Sequence, residues 1–170
     1  DELATKCRMY ANHGALKKPD HRMEGINSRL DTIQAAILSA KLPNILRWTD
    51  ARIKNAGYYD SCLKDIPQMC LPKVRPASRH SFHLYVIRAR RRDELMAFLK
   101  EQGIETAIHY PVALPNLPAY KYLGYTPSDF PVATRLQSEI LSLPMYPELT
   151  ESAVGYIAEK IKLFYAGATA

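Results

Sequence analysis

The segment Gly25-Ile26-Asn27-Ser28-Arg29-Leu30-Asp31-Thr32-Ile33-Gln34-Ala35-Ala36-Ile37-Leu38 holds the clearest pattern in the chain. Three polar residues (27–29) stand directly before apolar residues at helical spacing, so the pattern predicts a helix that begins there. The first turn of a helix has unpaired N–H groups and partial positive charge, which suits an anion such as phosphate. Asn and Ser also favour helix starts purely as caps. On the residues alone, a structural cap is favoured over an anion site.

Composition limits the class of protein. The chain has 170 residues, 47% hydrophobic and 24% charged, which is ordinary for a globular protein of one domain, or one domain plus a long docking helix. No apolar run reaches the length of a membrane span, and the start lacks a signal-peptide pattern. The three cysteines are odd in number and lack Cys-x-x-Cys spacing, so we expect no metal site, no disulfide framework and a cytoplasmic location.

The formal net charge of +6 raises nucleic acid as a partner. The densest basic run, residues 88–92, connects a predicted strand to a predicted helix and contains no aromatic residue. It matches no nucleic-acid-binding motif. We therefore expect a solvated connector and no nucleic-acid partner.

The order of predicted elements indicates an α+β fold. Helices are predicted at 1–10, from 29 to about 41, from about 43 to 64, at 92–102, near 132–141 and from 151 to about 165; strands are predicted at 69–71, 82–89 and 105–110. The proline-bounded run 141–147 is predicted to be a structural turn. These elements favour a mainly antiparallel sheet covered on one side by helices. We expect two parts, a helical segment over 1–64 and a small α+β domain over 65–170.

Several stretches, in the same order, resemble the DegT/DnrJ-type sugar aminotransferases, which use pyridoxal phosphate. The longest is the Gly25–Leu38 segment, which resembles the region that follows the cofactor lysine in that family. The others are Tyr10-Ala11-Asn12-His13-Gly14, Lys41-Leu42, Trp48, Arg52, Phe82-His83-Leu84-Tyr85-Val86, Arg92-Asp93-Glu94-Leu95, Gly103-Ile104, Ile108-His109-Tyr110-Pro111, Pro118-Ala119-Tyr120 and Leu141-Ser142-Leu143-Pro144-Met145-Tyr146-Pro147. The resemblance covers essentially the whole chain.

This resemblance implies the small C-terminal domain of the aspartate-aminotransferase-type (fold type I) architecture, preceded by a long interdomain helix. In the family, the lysine that carries pyridoxal phosphate lies in a Ser-x-x-x-x-Lys segment upstream of the matching region. Lys17 and Lys18 are the nearest candidates in position for that lysine, but their polar loop does not match that segment. We expect them to be solvated charges, the chain to hold no catalytic residue, and the cofactor not to bind tightly to this chain alone.

The resemblance also implies specific contacts. The family's active sites are shared between subunits, and the Asn of its Asn-Ser-Arg motif reaches the phosphate of the neighbouring subunit's cofactor, which assigns that role to Asn27. Arg29 resembles a residue that faces the substrate, where a guanidinium suits a carboxylate. His109 and Tyr110 resemble substrate contacts, although the residues alone favour a packed histidine at a strand end. Asn116 stands near the position where many relatives have a second histidine.

We therefore expect the C-terminal portion of an aminotransferase that acts on a keto group of a nucleotide-linked sugar, in polysaccharide or antibiotic sugar biosynthesis. Glutamate is the expected amino donor, and a homodimer or larger self-assembly is expected. The alternative is a stand-alone interaction or regulatory module that kept the fold and lost catalysis.

Overall fold

The computed structural model describes residues 1–167 and divides into two compact units, residues 1–45 and the chain from 46 onward. The first unit contains α1 (Glu2–Tyr10), α2 (Thr32–Lys41) and a 3₁₀ turn (Leu42–Asn44). The boundary between two domains that the sequence predicts, at residues 64 and 65, stays a prediction.

The elements of the second unit follow in a simple order. The helices are α3 (Ile45–Leu63, which begins at the unit boundary), α4 (Arg92–Glu101), α5 (Pro131–Glu139) and α6 (Glu151–Ala166); the strands are β1 (Met69–Cys70), β2 (Tyr85–Ala89) and β3 (Ile140–Leu143); short 3₁₀ turns lie at Leu114–Asn116, Pro118–Leu123 and Pro127–Asp129. Within residues 1–167, no helix has the length and apolar character needed to cross a bilayer.

In the first unit, two loop segments lie against each other at a pair of glycines. Gly14 has φ +79°, and a Cβ there would lie 1.6 Å from the Met23 carbonyl oxygen. A Cβ on Gly25 would lie 2.2 Å from the Gly14 nitrogen. Only glycine tolerates backbones this close. Next to this contact, an antiparallel bridge between Asn12 and Asn27 joins the two loop segments.

The prediction that a helix begins at residues 27–29 is wrong. α2 begins at Thr32, with Asp31 as the N-cap residue. Asn27 is held in the bridge to Asn12, and Leu30 has φ +58°, which ends the extended segment before the helix. The Asp31 N–H donates to the Gln34 side chain (3.1 Å), the capping arrangement that fixes this start.

Other helix predictions are confirmed. α1 ends at Tyr10, and Pro43 separates α2 from α3 as proline requires. α6 is capped by Thr150, whose hydroxyl accepts the Ala153 N–H at 3.2 Å.

The sheet has three antiparallel strands in the order β1-β2-β3. β2 is shorter than predicted and begins at Tyr85. The predicted strand at 105–110 is wrong, because only Ala107 pairs there, in an isolated bridge to Ser142. The prediction of a turn over 141–147 is also wrong in its first part, because β3 pairs along β2 from Tyr85–Leu143 to Arg88–Ile140. The prolines after residue 143 are unfavourable in a strand, and for that reason the sequence pattern predicted a turn here.

One face of β2 forms the centre of the core. Tyr85, Ile87 and Ala89 are at most 4% exposed, whereas Val86 and Arg88 on the opposite face are half-buried. Helices α3, α4 and α6 contribute their buried side chains to the same cluster: Ala56, Tyr59, Leu63, Leu95, Leu99, Val154, Ile157, Ala158, Ile161 and Tyr165. The structure is therefore the α+β arrangement that the sequence predicted.

Side chains of α3 hold the backbone that follows β3. Arg52 Nη1 donates to the Met145 carbonyl (2.9 Å), Asn55 Nδ2 to that of Tyr146 (3.2 Å), and the Tyr59 hydroxyl to that of Pro144 (2.9 Å). The proline-rich segment after β3 has few hydrogen-bond partners in regular structure for these carbonyls. Polar side chains of α3 therefore act as their donors. Burial raises the pKa of Tyr59, so its hydroxyl keeps the proton that it donates.

Candidate functional site

Three polar side chains of the first unit form a connected cluster, which we call the Asn-Arg cluster: Asn12, Asn27 and Arg29. Arg29 Nε donates to Asn27 Oδ1 at 3.0 Å, and Arg29 Nη1 donates to Asn12 Oδ1 at 3.2 Å. Asn12 Nδ2 donates in turn to the Ala15 carbonyl at 2.7 Å. Asn27 and Arg29 are exposed and Asn12 is half-buried. The cluster thus presents amide and guanidinium donors to solvent from an ordered backbone.

The anion-binding argument for Asn27 changes with the structure. Asn27 does not lie in the first turn of a helix, so α2 supplies no unpaired N–H groups beneath it. The carboxylate of Asp31 stands at the N-terminus of α2 instead, and negative charge there disfavours an anion. Any anion binding at Asn27 therefore comes from side-chain donors and the charge of Arg29.

The second predicted site lies in the other unit. His109 Nδ1 is 2.9 Å from the hydroxyl oxygen of Ser142, a residue of β3 that is 4% exposed. Tyr110 is 75% exposed, and its ring meets the His109 ring edge-on with centroids 5.7 Å apart. One ring nitrogen of His109 is therefore engaged inside the protein, while the phenol of Tyr110 is open to a ligand.

An apolar pocket continues from Tyr110. Its volume is about 420 Å³, and it is lined by Tyr110, Pro111, Val112, Leu114 and Leu117. Asn116 does not offer its amide freely, since its Nδ2 donates to the Thr134 hydroxyl at 3.1 Å. Gln137 holds the same loop by accepting the Ala113 N–H at 2.7 Å. The loop after His109 is thus a braced apolar surface.

The structure joins Asn27 to Arg29 and places His109 next to Tyr110. Sequence reasoning did not single out two residues of these sites, Asn12 and Ser142, although each lies inside a stretch quoted for the resemblance. Asn12 follows Tyr10-Ala11, and the proline-bounded pattern over 141–147 predicts a turn at Ser142. Neither could be found by spacing, because Asn12 contacts a residue 17 positions away and Ser142 a residue 33 positions away.

Lys17 and Lys18 are exposed. Lys17 and Lys18 both lie in the polar loop of the first unit, and the Lys17 carbonyl accepts the Asp20 N–H at 2.9 Å. Across residues 1–167, the His, Cys, Asp and Glu side chains form no group of three or more that could hold a metal ion. The three cysteines are free thiols.

Known proteins of similar sequence are aminotransferases and related proteins. The DegT/DnrJ/EryC1/StrS aminotransferase family matches residues 1–162. A "Pleiotropic regulatory protein" of Geobacillus stearothermophilus is 48% identical over 167 residues, covering 97% of this chain and 45% of that protein. A dTDP-3-amino-3,4,6-trideoxy-alpha-D-glucose transaminase of Streptomyces venezuelae is 38% identical over 148 residues, covering 87% of this chain and 39% of that protein.

The fold is similar to solved structures of the same kind. The crystal structure of S. venezuelae DesV superposes with a TM-score of 0.89 at 35% identity, covering 96% of this chain and 44% of that one. These structural neighbours are fold type I aminotransferases. The chain spans less than half the length of the relatives it matches. By sequence and by fold, the chain belongs to the DegT/DnrJ/EryC1/StrS aminotransferase family.

Proposed function

We propose that this chain is the C-terminal part of a cytoplasmic, pyridoxal-phosphate-dependent aminotransferase that acts on a keto group of a nucleotide-linked sugar, with glutamate as amino donor. Its contribution is to bind and orient, because the lysine that forms the imine belongs to the upstream part of such an enzyme. The observation that carries the proposal is the exposed Asn-Arg cluster within a chain of this family.

The residues present fit the phosphate end of the cofactor. Asn27 and Arg29 are exposed donors on a backbone fixed by the bridge to Asn12. The cofactor, when bound, supplies the electron sink for amino transfer. This chain's own residues would hold the phosphate group at one end, in trans, and so orient the cofactor in a neighbouring subunit.

Substrate contacts are proposed at both clusters. Arg29 faces a carboxylate with the donors that its asparagine partners leave free. His109 and Tyr110 contact the nucleotide-linked sugar: His109 through the ring nitrogen not engaged by Ser142, and Tyr110 through its exposed ring and hydroxyl. The adjoining apolar pocket excludes water from that side of the ligand.

A chimeric enzyme tests the proposal. The matching region of the S. venezuelae transaminase is replaced by this chain, and transfer of the amino group of glutamate to a nucleotide-linked keto sugar is measured. We expect transfer, and we expect Asn27→Asp, which replaces a donor by a carboxylate, to raise the cofactor concentration needed for half-saturation by at least tenfold. Asn116→Asp, in the braced loop, is the matched control and leaves cofactor affinity unchanged.

The chain by itself gives a second measurement. Borohydride reduction with pyridoxal phosphate, followed by mass analysis, is expected to leave no specific pyridoxyl-lysine adduct. A stoichiometric adduct at Lys17 or Lys18 would overturn the proposed division of labour. A well-folded chimera that binds cofactor but transfers no amino group would instead favour the non-catalytic module.

A further inference from the structure

The guanidinium of Arg29 fixes which way two asparagine side chains point. Its Nε and Nη1 atoms contact Asn27 and Asn12 at 3.0 and 3.2 Å. A guanidinium has only N–H donors, so the amide atom that faces it in each asparagine is the oxygen. The orientation of both amides therefore follows from the chemistry of their partner.

A second contact independently fixes the orientation of the Asn12 side-chain amide. Its Nδ2 donates to the Ala15 carbonyl at 2.7 Å, and a carbonyl can only accept. The same orientation is thus required from both ends of the Asn12 amide. The backbone keeps the register, because the Ser28 N–H donates to the Ala11 carbonyl at 2.9 Å beside the Asn12–Asn27 bridge. Asn12 is therefore an anchored acceptor that holds Arg29 in place.

Asn27 is left with a defined free end. Its oxygen accepts from Arg29, so its NH₂ group points away from the guanidinium. Within residues 1–167, this NH₂ has no hydrogen-bond partner. The oxygens of a phosphate monoester are acceptors and negatively charged, so the NH₂ end of an amide attracts them and the oxygen end repels them. A freely rotating Asn27 would present the wrong end part of the time.

We propose that Arg29 is a positioning residue for Asn27: it holds Oδ1 so that Nδ2 is presented as a donor to a phosphate monoester, and Asn12 anchors Arg29 in that role. The inference rests on the proposed function, since it refines how Asn27 meets the phosphate of a pyridoxal-type cofactor.

The same geometry narrows the contact between Arg29 and a substrate. Two of the three guanidinium nitrogens are engaged with amide oxygens, which leaves Nη2 as the nitrogen without a partner in the described part of the chain. A side-on bidentate pair with a carboxylate uses two nitrogens. Because the Nε N–H is engaged with Asn27, a side-on pair is excluded, and Arg29 meets a substrate carboxylate through the N–H groups left on Nη1 and Nη2.

Side-chain amide NMR of the ¹⁵N-labelled chain tests this. Asn27 NH₂ resonances are followed during titration with pyridoxal phosphate, and with inorganic phosphate, at constant ionic strength. Arg29→Lys keeps the charge but cannot bridge two amide oxygens in one plane. Arg22→Lys, at an exposed arginine paired with Asp20 in the same unit, is the matched control. The scalar coupling from Arg29 Nε to the Asn27 side-chain carbonyl gives a readout without ligand.

We expect the coupling in the wild type and in Arg22→Lys. We also expect Asn27 NH₂ to shift on titration, with an affinity that falls roughly three- to tenfold in Arg29→Lys. Equal affinity in Arg29→Lys would overturn the positioning role and leave Asn27 as a phosphate contact. An unresponsive Asn27 in the wild type would overturn the phosphate assignment as well. Response to inorganic phosphate alone would assign the site to free anions and overturn the cofactor assignment.

Discussion

The imidazole of His109 is held by a buried serine: its Nδ1 lies 2.9 Å from the hydroxyl oxygen of Ser142. Ser142 is fixed in turn, since its N–H donates to the Ala107 carbonyl at 2.7 Å and its carbonyl accepts the Ala107 N–H at 3.2 Å. The bridge brings the segment before His109 against β3. One ring nitrogen is thereby committed to the protein, so the contact made by the other nitrogen has a defined direction.

Ser142→Ala is expected to release the His109 ring. The ring ¹H–¹⁵N correlations of His109 should shift as its tautomer balance changes, and the free energy of unfolding should fall by about 0.5–1.5 kcal/mol for one lost hydrogen bond. Ser138→Ala, which removes an exposed hydroxyl from α5, is the control. Unchanged His109 ring resonances in Ser142→Ala would contradict the holding role.

Alkaline pH is expected to destabilise the second unit through buried tyrosines. Burial raises the pKa of Tyr165 from 10.0 to about 12, with Arg91 opposing the shift. Between these values the unfolded chain loses the proton and the folded chain keeps it, so the contribution of Tyr165 is complete below pH 10 and falls as pH rises toward 12. The limiting slope is about 1.4 kcal/mol per pH unit.

Urea unfolding at pH 8 and pH 11 measures this slope. Tyr165→Phe should make the fall between the two pH values smaller than in the wild type. Tyr122→Phe, at a side chain that is 80% exposed, controls for the loss of a phenol. An equal fall in Tyr165→Phe and in the wild type would refute the assignment.

Asp60 is expected to stabilise the core from the edge of α3. Its carboxylate accepts the hydroxyl of Tyr85 at 2.6 Å, and Tyr85 is fully buried and stacked on Tyr59 with centroids 4.8 Å apart. Asp60→Ala leaves that hydroxyl without its acceptor and should lower the free energy of unfolding by about 1–3 kcal/mol. Asp65→Ala, at an exposed position after α3, should change it by less than about 0.5 kcal/mol. Equal values for the two variants would contradict the prediction.

The sequence predicted those features of the fold that depend only on neighbouring residues. Pro43 separates two helices wherever the surrounding chain lies, and the apolar spacing of α6 defines its buried face in any setting. The strand β3 was missed because the prolines that follow it suggested a turn, and its pairing with β2 is decided about 55 residues away. Periodicity carries no information on such a partner.

In the candidate sites too, contacts between distant residues could not be predicted from local pattern. Asn27 was found through its motif, but the pattern placed it on a helix because Ile33 and Ile37 continue at helical spacing. The bridge to Asn12 and the positive φ of Leu30 override that preference. Contacts such as Arg29 to Asn12 span 17 residues of loop, so only the folded backbone defines them.

Self-association through the first unit is the last prediction. None of the side chains of α2 is buried, and Ile33 and Ile37 are 71% and 53% exposed. A groove of about 360 Å³ runs beside this helix and is lined mainly by Leu30, Leu38, Leu42 and Ile45. Contiguous apolar surface of this kind marks an interaction face. Covering it with a second copy would recover roughly 1.5–3 kcal/mol for each large side chain that becomes fully buried.

We therefore expect a dimer or larger assembly at micromolar concentration, with residues 1–64 forming most of the contact. Ile33→Glu with Ile37→Glu should shift sedimentation velocity profiles to monomer, because a charge cannot be buried there without a partner. The double variant should leave urea unfolding of the second unit unchanged, since the buried core residues of that unit lie between 56 and 165. Leu163→Glu with Tyr156→Glu, at two exposed positions on α6, is the matched control and should leave the assembly intact. A wild-type chain that sediments as a compact monomer would refute association through this face.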